Sequence, residues 1–86
     1  METIDEAIDW LESNGLRYKE SNWKLGHSLF ISKEAEREEG GLKILPPTII
    51  LAPDDKKWCL VFEWPDKIQR NISSLDEALS IAASKL

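Results

Sequence analysis

The reactive side chains of this sequence do not combine into a catalytic set. Cys59 is the only cysteine and His27 is the only histidine. A thiol nucleophile needs a base within hydrogen-bond reach, and these two residues lie far apart in the sequence. We therefore expect Cys59 to be a small buried thiol on a strand and His27 to be a turn residue. Because nothing singles out a pair among the sixteen acids for acid–base chemistry, we predict that the protein is not an enzyme.

The acidic and glycine residues indicate neither a metal site nor a cofactor site. A calcium loop needs oxygen ligands at defined spacing, and the order Asp-x-Asp-x-Asp-Gly is absent. The four glycines form no phosphate-binding motif. Four acids that stand close together are typical of an exposed charged loop, namely Glu34, Glu36, Glu38 and Glu39. We predict no metal and no cofactor.

The most distinctive chemical feature is a group of five acids on the first predicted helix, which we call the acidic face. They are Glu2, Asp5, Glu6, Asp9 and Glu12. At about 100° per residue they fall within a sector of about 120°. No lysine or arginine occurs in residues 1–16, so no ion pair within the helix relieves their mutual repulsion.

The acidic face has two interpretations. In the first it is a solvated surface whose charge is balanced by Arg17 or Lys19 on a neighbouring element. In the second it is a docking surface that attracts a basic protein at long range and so governs association rate and partner choice.

Four tryptophans are many for a core of this size. Trp58 and Trp64 stand at the ends of the strongest predicted strand, and we expect both to pack in the core. Trp10 lies between the acidic face and the apolar stripe of the first helix, and Trp23 lies in a weakly patterned region. Exposed aromatic side chains are typical binding anchors, so Trp10 and Trp23 join the acidic face as candidate protein-binding residues.

A basic group surrounds the predicted hairpin near the C-terminus and consists of Lys56, Lys57, Lys67 and Arg70. Basic residues among aromatic side chains can form a nucleic-acid platform. Here acids are interleaved with them, at Asp54, Asp55, Glu63 and Asp66. The overall charge of −5 also repels phosphate backbones, so we predict no nucleic-acid binding.

Helices are predicted at both ends of the chain. Thr3 and Glu6 have capping-box spacing, and apolar residues then recur at helical intervals until residues 13–15, where Gly15 suits a left-handed C-terminal cap. Near the C-terminus, Ser73 and Ser74 precede a second helix. Its apolar face comprises Leu75, Leu79, Ala82 and Leu86, and Ile81 falls off that face.

The middle of the chain is predicted to form strands. Residues 16–32 suggest two short strands joined by a turn, and residues 33–41 suggest an exposed loop with one helical turn. Pro46 and Pro47 lack ladder donors, which favours an edge strand or a bend. Residues 57–64 form the strongest strand and join residues 68–72 in a hairpin through a turn at 64–67.

These elements predict an α+β fold in one domain of residues 1–86. An antiparallel sheet of three to five strands is flanked by an N-terminal and a C-terminal helix, both on one side of the sheet. The lone cysteine excludes an intramolecular disulfide and favours a reducing compartment. Without a signal-like N-terminus or an apolar run near twenty residues long, we expect a cytoplasmic protein that makes no membrane contact.

Three function classes follow from these expectations. The favoured one is a non-catalytic protein-binding module, such as a small inhibitor, immunity or accessory protein, which engages a basic partner through the acidic face. The second is a structural protein that forms homo-oligomers, such as a homodimer, through Ile81, Trp23 and the strand near Ile49. The third is an enzyme or ligand carrier whose site is assembled from scattered residues.

Overall fold

The computed structural model describes residues 2–24, 26–63 and 67–86, with side chains for all of these except Trp23 and Glu63. Two helices flank seven strands within these residues, which confirms the predicted α+β fold and its order. The elements are α1 Ile4–Ser13, β1 Arg17–Trp23, β2 Gly26–Ser32, β3 Ala35–Glu38, β4 Gly41–Ile44, β5 Ile49–Asp54, β6 Lys57–Glu63, β7 Lys67–Ile72 and α2 Leu75–Lys85.

Five of the strands form one antiparallel sheet in the order β1-β2-β5-β6-β7. This main sheet lies at the upper end of the predicted strand number. The β3 and β4 strands form a separate antiparallel hairpin, so the prediction of a charged loop over residues 33–41 is wrong. The pairing depends on a glycine turn, in which the φ angles of Gly40 and Gly41 are +88° and +147°.

Both ends of α1 are capped as its sequence predicts. The Thr3 hydroxyl accepts a hydrogen bond from the Glu6 amide at 3.2 Å and donates one to the Glu6 carboxylate at 3.2 Å. At the other end the Leu16 amide donates to the Leu11 carbonyl at 3.0 Å, and Gly15 has a φ angle of +70°. Together these contacts form a Schellman motif, which ends the helix and turns the chain directly into β1.

The α2 helix begins at Ser74, whose hydroxyl accepts a hydrogen bond from the Glu77 amide at 3.1 Å. Leu75, Leu79 and Ala82 on its predicted apolar face are buried. Ile81 was expected off this face, yet it is half-buried and packs against the core. The apolar face of α2 is therefore wider than the periodicity predicts.

Both helices pack on the same face of the main sheet, as predicted. The buried cluster between them is formed by Ala7, Leu11, Leu29, Ile31, Ile49, Leu51, Leu60, Ile72, Leu75, Ala78, Leu79 and Ala82. The opposite, helix-free face buries a smaller group of Ala52, Cys59 and Val61. Side chains along β6 alternate between the two faces, and a two-residue turn with Asp55 at a φ angle of +59° joins β5 to β6.

A β-bulge in β7 shifts the alternation of its side chains by one residue. Trp58 pairs with Ile72 and Leu60 pairs with Gln69, so two residues of β7 lie opposite Cys59 alone. One of these two is Asn71, with a φ angle of +60°. Because the extra residue shifts the side-chain period by one, Ile72 faces the helices.

The two adjacent prolines lie between strands, which confirms the predicted bend. The cis Pro46–Pro47 peptide falls in the connection from β4 to β5. The buried Ser32 hydroxyl donates a hydrogen bond to the Leu45 carbonyl and thereby ties this connection to the end of β2. Beyond the bend, β5 enters the centre of the main sheet between β2 and β6.

Candidate functional site

The acidic face lies on the solvent side of α1. Its five side chains, Glu2, Asp5, Glu6, Asp9 and Glu12, are all exposed. Ala7 and Leu11 on the other side of the helix are fully buried in the core. The amphipathic pattern therefore fixes the rotation of α1 and directs the acids outward.

Two acids of this face have structural partners within the chain. Glu6 belongs to the N-terminal cap, where its carboxylate also accepts a hydrogen bond from the Glu2 amide at 3.3 Å. The Tyr18 hydroxyl on β1 donates to the Glu12 carboxylate at 2.6 Å. This hydrogen bond, with partial burial and the negative charges of Glu12, Glu20 and Asp9, raises the pKa of Tyr18 above its ordinary value.

The positive charge expected from Arg17 or Lys19 does not reach the acidic face as an ion pair. Within the described residues, no lysine or arginine forms a salt bridge with any of the five acids. Strand alternation explains this result, because Tyr18 points toward α1 and its two neighbours on β1 point toward the helix-free face. Asp5 and Asp9 make no hydrogen bond or ion pair in the described part of the chain.

Trp10 occupies the border position that the helical angles predict. Its side chain is half-buried and packs against the main core. Its carbonyl accepts a hydrogen bond from the Asn14 side-chain amide at 2.8 Å, within the C-terminal cap. Part of the indole ring therefore remains accessible next to the acids of α1.

Trp23 is not brought to this site by any described contact. Its backbone ends β1 and pairs with Gly26, and its side chain lies outside the described residues. It lies five residue steps along β1 from Tyr18, which corresponds to about 16 Å. Trp58 is half-buried against the core as predicted, and Trp64 lies outside the described residues.

Tyr18 is the one member of the site that the sequence did not indicate. It lies six residues beyond Glu12, on the far side of the Schellman turn. The sequence signal for this contact is indirect. The chain passes from the tight cap at Gly15 directly into a strand, and this places the second strand residue under the last helical turn. The site that the structure assembles thus consists of the acidic face, Trp10 and Tyr18.

His27 and Cys59 do not meet as a nucleophile and base in any described contact. His27 lies within β2 and not in the adjacent turn as expected; its Nε2 is 2.8 Å from the Glu20 carboxylate, and the two side chains are 54% and 46% exposed. Cys59 is buried as predicted. Burial, followed by the charge of Asp54, raises the pKa of the thiol, which disfavours the reactive thiolate.

The basic group near the C-terminal hairpin is partly neutralised. Arg70 binds the Asp54 carboxylate through two hydrogen bonds, from Nη2 at 2.6 Å and from Nε at 3.1 Å. The arginine hydrogen bond is the main cause that lowers the pKa of Asp54. Of the other interleaved acids, Asp66 and the side chain of Glu63 lie outside the described residues.

Neither a metal cluster nor a membrane-spanning helix is found in the part of the chain that the structure describes. No three His, Cys, Asp or Glu residues there are grouped so that they could hold a metal ion. No helix there is both long enough and apolar enough to cross a bilayer.

Comparison of the chain with protein-family models, with curated proteins and with solved structures finds no match.

Proposed function

We propose that this protein is a non-catalytic protein-binding module whose acidic face engages a basic surface of another protein. The proposal rests on the exposed carboxylates of Asp5 and Asp9. Both carboxylates are exposed on α1 and have no hydrogen-bond or ion-pair partner among the described residues. Their charge is therefore available to a second molecule.

Three properties of α1 suit it to bind a partner. Hydrated surface acids cost little stability and attract a cationic partner beyond contact distance, which raises the association rate. Trp10, half-buried at the border of the face, offers an aromatic anchor that loses little conformational freedom on binding. Caps at both ends of α1 hold the helix in place before a partner arrives, which lowers the ordering cost of association.

Several kinds of protein fit this proposal, including a small inhibitor, an immunity protein or an accessory subunit in the cytoplasm. The competing homo-oligomer hypothesis receives less support from the fold. Ile49 is only 3% exposed within the core, and Ile81 packs against the same core. Neither Ile49 nor Ile81 presents a large free apolar surface to a second copy of the chain, and the side chain of Trp23, the third part of this hypothesis, lies outside the described residues.

Removal of the two free carboxylates tests the proposal. We expect the D5N/D9N variant to bind the natural partner, captured from cells of the source organism, about tenfold more weakly at low salt. The salt dependence of binding should also flatten, because fewer charges take part. Surface plasmon resonance over a range of ionic strength measures both effects.

The matched control is E34Q/E36Q, which removes the same charge from two exposed residues, one just before β3 and one within it. It should bind the partner like the unmodified chain. Equal losses in the two variants would mean that only net charge matters, and no loss in D5N/D9N would refute a role for the acidic face.

A further inference from the structure

A groove of about 470 Å³ lies between the β3–β4 hairpin and the helix-free face of the main sheet. Its floor is an apolar row, in which Phe30 pairs with Ile50 and Ile50 pairs with Val61 across three strands. Ile44 of the hairpin completes the apolar lining, and Phe62 borders the groove while its side chain packs against the helix-side core. The volume falls within the range of about 300–1,000 Å³ that is typical of small-molecule sites.

The apolar row continues beyond the groove to the edge of the sheet. Val61 pairs with Ile68 on β7, and Ile68 is 41% exposed. Among the described residues, it is the most exposed of the large hydrophobic side chains. Phe30 and Ile50 are half-buried, so the row keeps apolar surface in contact with water, and its coverage by an apolar ligand would be favourable.

Two lysines line the same groove in a protein whose net charge is −5. Lys19 pairs with Phe30 in the register of β1 and β2, and Lys43 precedes Ile44 on β4. Neither ammonium group forms a hydrogen bond or an ion pair among the described residues. The only acid in the lining is Glu38, which leaves one net positive charge among the lining residues; Glu36 pairs with Lys43 in the hairpin register and lies outside the lining.

An apolar floor beside two unpaired ammonium groups is complementary to a molecule with an apolar body and an acidic head. We infer that this groove binds a small amphipathic acid, an alkyl or aryl carboxylate. The apolar part covers Phe30, Ile50 and Val61, and the carboxylate lies at Lys19 and Lys43, where it makes charge-assisted hydrogen bonds.

The size of the groove favours a small ligand over a protein surface, because its volume lies in the range of small-molecule sites and its lining comes from both the hairpin and the main sheet. The site also lies on the opposite face of the main sheet from α1. Ligand binding in the groove therefore does not depend on the proposed role of the acidic face.

Titration of the full chain with decanoate, followed by two-dimensional amide NMR, tests the inference. We expect saturable shifts centred on β2, β4 and β5. Decanol has the same apolar chain without the charge, and it should bind roughly tenfold more weakly. Equal affinity for decanoate and decanol, or no saturable binding of decanoate, would overturn the inference.

Two variants locate the bound molecule. K19Q/K43Q should weaken decanoate binding roughly tenfold, whereas K33Q/K56Q, which removes the same charge from exposed positions outside the groove, should leave it unchanged. S21W fills the groove from an exposed position on β1 and should abolish binding while the amide spectrum stays folded.

Other results would contradict the inference. Equal losses in K19Q/K43Q and K33Q/K56Q would show a non-specific charge effect, and full binding by S21W would place the ligand elsewhere. Binding to phosphatidylglycerol vesicles without binding of free decanoate would replace the free acid with a membrane surface.

Discussion

At the residue scale, two side-chain contacts connect different elements of the fold. The Tyr18–Glu12 hydrogen bond joins the first strand to the end of α1, and the Arg70–Asp54 pair joins the last strand to the end of β5. Both contacts change the pKa of a group in a direction that can be measured. The titrations of Tyr18 and Asp54 therefore report whether these two contacts are formed in solution.

The titration of Tyr18 tests the first contact. Tyr18 is the only tyrosine, so the ultraviolet signal of tyrosinate reports on it alone. Its pKa is raised in the folded chain above the ordinary 10.0. The folded state therefore holds this proton more tightly, and the associated stability is complete below about pH 10 and is lost as the pH rises through the folded pKa.

We expect E12Q to move the tyrosinate midpoint down, because it removes the negative acceptor that is the main cause of the raised pKa. D5N changes the same helix without touching Tyr18 and should leave the midpoint in place. A midpoint that E12Q does not change would show that the hydrogen bond is not formed in solution.

Acid unfolding tests the second contact. The pKa of Asp54 is lowered by Arg70, so the stability from this pair is present above the unfolded value near 4 and is lost as the pH falls through the folded value. We expect R70Q to lower the melting temperature by a few degrees at neutral pH, and by less at pH 2, because proton uptake by Asp54 weakens the pair as the pH falls. Calorimetry at both pH values measures this difference.

K56Q is the matched control, since it removes a nearby positive charge without removing the two hydrogen bonds from Arg70 to Asp54. It should leave the melting temperature nearly unchanged. An R70Q effect of the same size at pH 2 and pH 7 would argue that packing, and not the ion pair, is lost.

At the element scale, the predictable parts of the fold are those with local signals. The cap residues Thr3 and Gly15 gave the bounds of α1, and the alternation of residues 57–64 gave both faces of β6. The β3–β4 hairpin could not be predicted, because three of the four residues of β3 are charged and its pairing depends on a separate strand. The same limit applies to the groove, which exists only after the hairpin is placed against the main sheet.

The bulge in β7 allows a sharp test of backbone conformation. Asn71 has a φ angle of +60°, which asparagine and glycine tolerate and which a β-branched residue strongly resists. We expect N71V to lower the free energy of unfolding by about 1–2 kcal/mol and N71G to change it little. Urea unfolding monitored by fluorescence measures both.

The neighbouring Gln69 supplies the control, since it is exposed on the same strand and is not among the residues with positive φ. Q69V should therefore keep or slightly increase stability. If N71V proved as stable as the unmodified chain, the left-handed conformation at the bulge would be wrong.

The C-terminal cap of α1 offers a second test at this scale. No heavy atom outside the neighbouring residues lies within 4 Å of a methyl group added at Gly15, so a substitution there meets only the cost of its φ angle of +70°. We expect G15A to lower the free energy of unfolding by about 1 kcal/mol, and G15N by less. Thermal unfolding of the two variants checks the order, and a more stable G15A would contradict the Schellman geometry.

At the scale of the whole molecule, one layer of helices leaves the two faces of the sheet chemically different. The helix side carries the acidic face, and the helix-free side carries the apolar groove with its two lysines. The sequence alone could suggest the first surface, because helical angles follow from residue numbers. It could not suggest the second, because Lys19, Ile44 and Val61 come from three distant segments.

The exposed edge of the main sheet at β7 bears on self-association. The bulge at Asn71 disrupts the regular hydrogen-bonding pattern of this edge, which disfavours its pairing with the same edge of a second copy. We therefore expect a monomer by light scattering coupled to size exclusion. A stable dimer would contradict this expectation and would favour the structural, homo-oligomeric alternative.

The length of α1 determines which form of the chain a partner can recognise. A helix of ten residues is too short to persist alone in water, so the five acids share one face only while the core holds the helix against the sheet. A partner that binds the acidic face would therefore bind the native state and would not bind the unfolded one. At saturating concentration it would raise the unfolding temperature of the whole domain. Binding would thereby distinguish folded copies of the chain from unfolded ones.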